Sequence, residues 1–231
     1  PDLHAGCPMA DMADAEGVRR LRQEHPGAVA VCYVNSTAEV KAECDVCVTS
    51  GNAVEVVRRI PQGREILFIP DKFLGSHVER VTGRKMVLWP GYCPTHARFM
   101  REHIQAARKA FPGAPVIVHP ECRPEVCLAA DRVLSTGGMV KFARETDATT
   151  ILVGTETGLL HRLRKENPGK RFIPVPDEAV CPNMKLITLE TVAWSLEELK
   201  HRVIVPEAIR VRALRTVERM FEDGPIEPDR D

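Results

Sequence analysis

His25-Pro26-Gly27-Ala28-Val29-Ala30-Val31-Cys32-Tyr33 and Phe111-Pro112-Gly113-Ala114-Pro115-Val116-Ile117-Val118-His119 stand 86 residues apart (25 to 111) and read alike. Each places a Pro-Gly break before a short apolar run, the pattern of a turn entering a buried strand. The same shift carries Glu39-Val40 onto Glu125-Val126, Asp45 onto Asp131, and Thr49-Ser50-Gly51 onto Ser135-Thr136-Gly137. Cysteine-proline repeats with it, as Cys7-Pro8, Cys93-Pro94 and Cys181-Pro182, at spacings of 86 and 88 residues. The chain is an internal repeat with one cysteine at the same position of each unit.

The rest of each unit follows outward. Val46-Cys47-Val48, Ile66-Leu67-Phe68-Ile69 and Met86-Val87-Leu88 read as later strands of the first unit. Val133-Leu134, Thr150-Ile151-Leu152-Val153 and Phe172-Ile173 are their counterparts in the second. Helices are expected from Cys7 to about Gln23, from Thr95 to Ala110 and from Asn183 to Leu199. Ser36 is expected to cap a short helix through Glu43, and Thr49 to Asn52 to open another through Arg59. Pro206 begins a last helix through Phe221, and the polar tail Glu222 to Asp231 is expected to fray. Short apolar strands alternating with helices imply α/β units whose parallel sheets are covered on both faces. The units run over 1–91 and 92–180, with 181–231 the C-terminal part of a third. Pro1 to Cys7 aligns with Val87 to Cys93, the end of a unit, so further residues are expected upstream.

Lys plus Arg and Asp plus Glu each number 32, leaving no net charge. That excludes the basic footprint of a nucleic-acid or anionic-membrane binder. No apolar run reaches membrane-spanning length and no signal peptide opens the chain, so a cytoplasmic protein is expected. In a reducing compartment the eight cysteines are ligands or small buried hydrophobes rather than disulfides.

Units packed about a pseudo-threefold axis bring Cys7, Cys93 and Cys181 to one point. Three convergent thiolates hold a metal or cluster with an open coordination position, which points to an enzyme. Soft thiolates favour zinc or an iron–sulfur cluster. A 4Fe–4S cluster normally takes four cysteines, so three leave one iron open. Cys44 and Cys47 have the spacing of half a structural zinc site, but no second pair completes it. Cys32, Cys44, Cys47, Cys122 and Cys127 do not recur in register and read as packing residues.

At the first strand ends Tyr33 aligns with His119, and Asn35 with Glu121. These supply acid–base groups. The hydroxyl pairs Thr49-Ser50 and Ser135-Thr136 each precede a helix, where free N–H groups attract anions. Asp71-Lys72 reads as a solvated turn, and neither Lys72 nor Glu156 is counted in the site. A non-catalytic iron–sulfur protein for electron transfer or redox sensing, and a zinc hydrolase, are the rival classes. The twin hydroxyl loops and His119-Pro120-Glu121 argue against the first; metal analysis separates the second.

Several stretches resemble the quinolinate synthases. They are Pro1-Asp2-Leu3-His4-Ala5-Gly6-Cys7-Pro8-Met9-Ala10-Asp11-Met12, Tyr33-Val34-Asn35-Ser36-Thr37-Ala38-Glu39-Val40-Lys41, Pro70-Asp71-Lys72-Phe73-Leu74-Gly75, Gly91-Tyr92-Cys93-Pro94-Thr95-His96, His119-Pro120-Glu121-Cys122 and Cys181-Pro182-Asn183-Met184-Lys185. They span nearly the whole chain in order. The resemblance implies three pseudo-equivalent αβα domains around a central 4Fe–4S cluster held by Cys7, Cys93 and Cys181. It implies condensation of iminoaspartate with dihydroxyacetone phosphate to quinolinate, phosphate and water in NAD biosynthesis, with a functional link to an enzyme supplying iminoaspartate. Tyr33, Asn35, Ser50, His119, Glu121, Ser135 and Thr136 match the family's substrate pocket. The family's N-terminal segment, which supplies a His, a Tyr and a Ser, has no counterpart here.

Overall fold

The structure is a computed structural model that describes residues 1–177 and 179–228. The first unit runs α1 (Ala15–Glu24), β1 (Val29–Tyr33), α2 (Ala38–Ala42), β2 (Val46–Val48), α3 (Ala53–Arg59), β3 (Ile66–Ile69), α4 (Lys72–Thr82) and β4 (Val87–Leu88). The second runs α5 (Arg101–Ala110), β5 (Val116–Val118), α6 (Pro124–Ala129), β6 (Arg132–Val133), α7 (Thr136–Glu145), β7 (Thr150–Gly154), α8 (Leu159–Glu166) and β8 (Arg171–Pro174). Then come α9 (Leu189–Glu197) and α10 (Glu207–Glu218).

The strands form two four-stranded parallel sheets of identical order, β2-β1-β3-β4 and β6-β5-β7-β8. Register in the first aligns Val31 with Val46 and with Phe68. In the second, Ile117 aligns with Arg132 and Val153. Every residue of β1, β2, β3 and β5 is buried. Helices cover both faces of such strands, which is why they read as unbroken apolar runs. Gly27 and Gly113, the matched glycines before β1 and β5, both adopt left-handed φ (+80° and +81°), a conformation glycine accepts without strain.

The expected α/β class and parallel sheets are borne out. The long helices after the cysteines are not continuous. Each cysteine carbonyl accepts the N–H four residues on, from Asp11, Ala97 and Lys185. One 3₁₀ turn follows, at Ala10–Met12, His96–Arg98 and Met184–Leu186. The chain then extends at Ala13, Phe99 and Ile187 before a new helix starts. Asp14 and Thr188 cap two of these helices by accepting a first-turn N–H. Ser36 does not cap α2: its hydroxyl donates to the Tyr33 carbonyl, and Thr37 is the cap.

The C-terminal helix α10 lies against α2 and β2, with Thr216 Oγ1 donating to the carbonyls of Lys41 and Cys44. The tail expected to fray is anchored within 222–228, although most of it is exposed: Ile226 is buried and its N–H donates to the Arg59 carbonyl. Residues 229–231 lie outside the described residues.

The matched acids Asp45 and Asp131 have one job in both units. Each accepts the N–H of a residue in or entering the central strand, Ala30 or Val116, at 2.7 Å, and each pairs with an arginine on the preceding helix. Asp45 is 1% exposed, whereas Asp131 is 41% exposed. Removing Asp45 strands a buried N–H and takes the carboxylate from Arg22. Asp45→Ala is therefore expected to cost about 3 kcal/mol and Asp131→Ala about 1 kcal/mol in urea unfolding. Equal costs would show that burial does not set the difference.

Candidate active site

In sheets of this order the connections diverge between the two central strands, and ligands sit in the crevice beyond their carboxyl ends. Tyr33 ends β1 and Asp71 follows β3; His119 and Glu121 follow β5, and Thr155 and Glu156 follow β7. The two crevices face one another across the unit boundary. The Tyr33 hydroxyl donates to Glu121 Oε1 at 2.7 Å. His119 Nε2 lies 3.2 Å from Ser50 Oγ. A Cβ on Gly51 would lie 3.4 Å from Ser135 Oγ, so the two hydroxyl loops approach closely.

The three repeat cysteines line one cavity of about 440 Å³, together with Tyr92, Arg98, Arg123 and Asn183. Cys7 is exposed, and Cys93 and Cys181 are half-buried. The other five cysteines are buried in the cores, as expected. His96 joins the cavity to the acid–base group. Its Nδ1 lies 3.2 Å from Cys93 Sγ and 2.9 Å from Glu121 Oε2, and its Nε2 lies 3.0 Å from Thr155 Oγ1. Its ring stacks on that of His119 with centroids 4.9 Å apart.

Electrostatics sort these groups by proton state. Burial pushes the Glu121 carboxyl up, but His119, His96 and the Tyr33 hydroxyl more than offset it and hold it below the usual carboxylate range. Burial and the Glu121 charge push the Tyr33 phenol far up, so it stays protonated. Burial brings His119 down to about 4 against the pull of Glu121, so it is neutral. Burial, then Glu121, raise Asp71 to about 7. Burial also raises the Cys7 and Cys93 thiols.

The structure brings Tyr33, Ser50, His119 and Glu121 together. Asn35 and Thr136 are exposed, and Ser135 caps α7 by accepting the Gly138 N–H. Asp71-Lys72 is not a solvated turn: Asp71 is fully buried. His96 and Thr155 went unread. Position 96 matches Ala10 and Met184 in the other units, so the repeat gave no signal there.

The family profile described as Quinolinate synthetase A protein matches residues 1–222. The chain belongs to the quinolinate synthetase A family. It is an enzyme of NAD biosynthesis. It is 54% identical over 221 residues to the quinolinate synthase of Dehalococcoides mccartyi strain BAV1, covering 96% of this chain and 73% of that protein. Identity to the quinolinate synthase of Thermus thermophilus is 51% over 228 residues, covering 97% and 74%. For that of Desulforudis audaxviator it is 50% over 221 residues, covering 96% and 73%. In this chain the matched cysteines line one cavity, and Tyr33, Glu121 and His119 meet beside it. No helix among the described residues is long and apolar enough to cross a membrane.

Proposed function

We propose that the chain, as a quinolinate synthase, joins iminoaspartate to dihydroxyacetone phosphate, releasing quinolinate, phosphate and water, in the cytoplasm, with a 4Fe–4S cluster on Cys7, Cys93 and Cys181. The observation that carries this is at His96: one ring nitrogen lies against both the Cys93 thiol and the Glu121 carboxylate. A ligand thiol and an acid–base group are thus bridged by one ring. The donor set fits the group, since three soft thiols face one cavity and the other described cysteines lie elsewhere. When bound, the cluster supplies a Lewis-acidic iron with an open position. The raised thiols lose their protons as the site is filled.

The side chains supply the remaining chemistry. Ionised Glu121 accepts a proton, Tyr33 stays protonated and orients Glu121 through its hydroxyl, and neutral His119 carries a proton between Ser50 and the Glu121 side of the pocket. Asn35, Ser50, Ser135 and Thr136 bind the substrates' carboxylates and phosphate, helped by the first amides of α7. The three-unit reading, with αβα units over 1–91, 92–180 and a third including 181–231, rests on three observations. The cysteine turn, extended residue and following helix recur three times. Leu189, Leu196 and Leu199, on and after α9, are exposed. About a quarter of the relatives' length lies outside the match. An enzyme that forms iminoaspartate supplies the first substrate.

The test is product formation by the full-length protein, reconstituted with iron and sulfide without oxygen. Quinolinate and phosphate are expected in equal amounts. Equal turnover by iron-free or zinc-loaded protein would overturn the cluster assignment.

A further inference from the structure

The cysteine loops of both units are held by the same device. After β3, Asp71 Oδ1 accepts the N–H groups of Phe73 and Leu74, both at 2.8 Å, and so caps α4. Its Oδ2 accepts the Cys93 N–H at 3.1 Å. The next N–H, from Lys72, donates to the carbonyl of Gly91, two residues before the cysteine, at 2.9 Å. Gly91 allows this approach, because a Cβ there would lie 2.5 Å from the Pro70 oxygen.

After β7, Glu156 repeats the wiring. Its Oε2 accepts the Gly158 N–H at 2.6 Å and its Oε1 accepts the Cys181 N–H at 3.3 Å. The next N–H, from Thr157, donates to the carbonyl of Ala179, two residues before the cysteine, at 2.9 Å. Glu156 Oε1 also pairs with Lys185 Nζ at 2.8 Å, on the turn that Cys181 opens. Capping α4, or holding the Gly158 N–H just before α8, needs one carboxylate oxygen. In both units the second oxygen goes to the cysteine, although one acid is Asp and the other Glu.

We infer that Asp71 and Glu156 are positioning residues for the ligand cysteines, each pinning its cysteine loop and setting a carboxylate behind the thiolate. This rests on the cluster assignment above. An amide that donates to the acid does not donate to a ligand sulfur, and fewer hydrogen bonds to the sulfurs lower the reduction potential. A charge-assisted hydrogen bond also fixes the loop more firmly than a neutral one. Partners behind metal ligands commonly change metal affinity by about 10- to 100-fold.

Asp71→Asn and Glu156→Gln separate the local backbone bonds from positioning. Each keeps its size and one acceptor oxygen for the amides that follow it in the chain, and each loses the acceptor for the cysteine N–H. Asp131→Asn, an acid distant in the fold from the cysteines, is the control. The full-length protein is reconstituted without oxygen, and two quantities are read: the rate at which a ferrous chelator removes iron, and the midpoint potential by dye-mediated titration. Iron loss is expected to be about 10- to 100-fold faster in both variants, with the control unchanged. The potential is expected to rise in both. A merely structural role would lower the thermal midpoint and leave the potential in place. Iron-loaded wild type, with both variants within about twofold in iron loss and unshifted in potential, overturns this inference alone. Wild type that takes up no iron overturns the cluster assignment, and this inference with it.

Discussion

Cys93→Ala protein is expected to fall from about four irons per chain to fewer than about one, with its brown colour lost. Cys93 sits on the cavity with Cys7 and Cys181, and its N–H is tied to Asp71. Alanine keeps that backbone bond and the turn that follows, since the turn uses the Cys93 carbonyl. Only the thiol is lost, leaving two ligands where three are needed. Cys122→Ala is the matched control. Cys122 is in the same unit but fully buried, and its thiol donates to the Gly154 carbonyl inside a core. Its loss opens a small cavity, costs about 1 kcal/mol of stability and leaves the iron in place. Iron and sulfide analysis after anaerobic reconstitution checks both, with circular dichroism to confirm folding. Full iron in Cys93→Ala would end the assignment of the repeat cysteines as ligands.

The fold was legible because its decisive elements announce themselves chemically. Strands buried on both faces must be apolar throughout, so Val29–Tyr33 and Ile66–Ile69 could be read directly. The Pro-Gly turns sit where left-handed φ is needed, so they recur where the strands recur. The helix starts were harder. Whether the chain continues past Ala13, Phe99 or Ile187 depends on the cysteine turn behind it, not on propensity.

Within the site, residues matched by the repeat were found and unmatched ones were missed. Tyr33 and His119 align and both reach the centre. His96 aligns with Ala10 and Met184, so nothing marked it. Asp71 and Glu156 differ in type, and the 86-residue shift carries Asp71 onto Thr157, one place beyond its structural partner. Hydrogen bonding, which the sequence does not spell out, is what makes those two acids equivalent.

Glu121→Gln is expected to lower turnover by about two orders of magnitude or more, the usual scale for a general acid–base group, with iron content unchanged. Glu121 is the hub of the site: Oε1 accepts from Tyr33, and Oε2 lies 2.9 Å from His96 and 3.9 Å from His119. Glutamine fills the same volume but carries no charge, and its amide nitrogen accepts nothing. One of the two partners on Glu121 must then lose its acceptor or turn away. Forming an aromatic ring from an imine and a triose demands proton removal at carbon and loss of water, and a neutral amide does neither. The substitution also removes the negative charge that helps keep the Tyr33 phenol protonated. Folding should survive, because an amide is less costly to bury than a carboxylate and the side chain keeps its shape. Steady-state turnover is measured beside iron analysis, so that a drop through lost metal is told apart from a drop through lost chemistry. Turnover within about threefold of wild type, with full iron, would reduce Glu121 to a structural link between the two units.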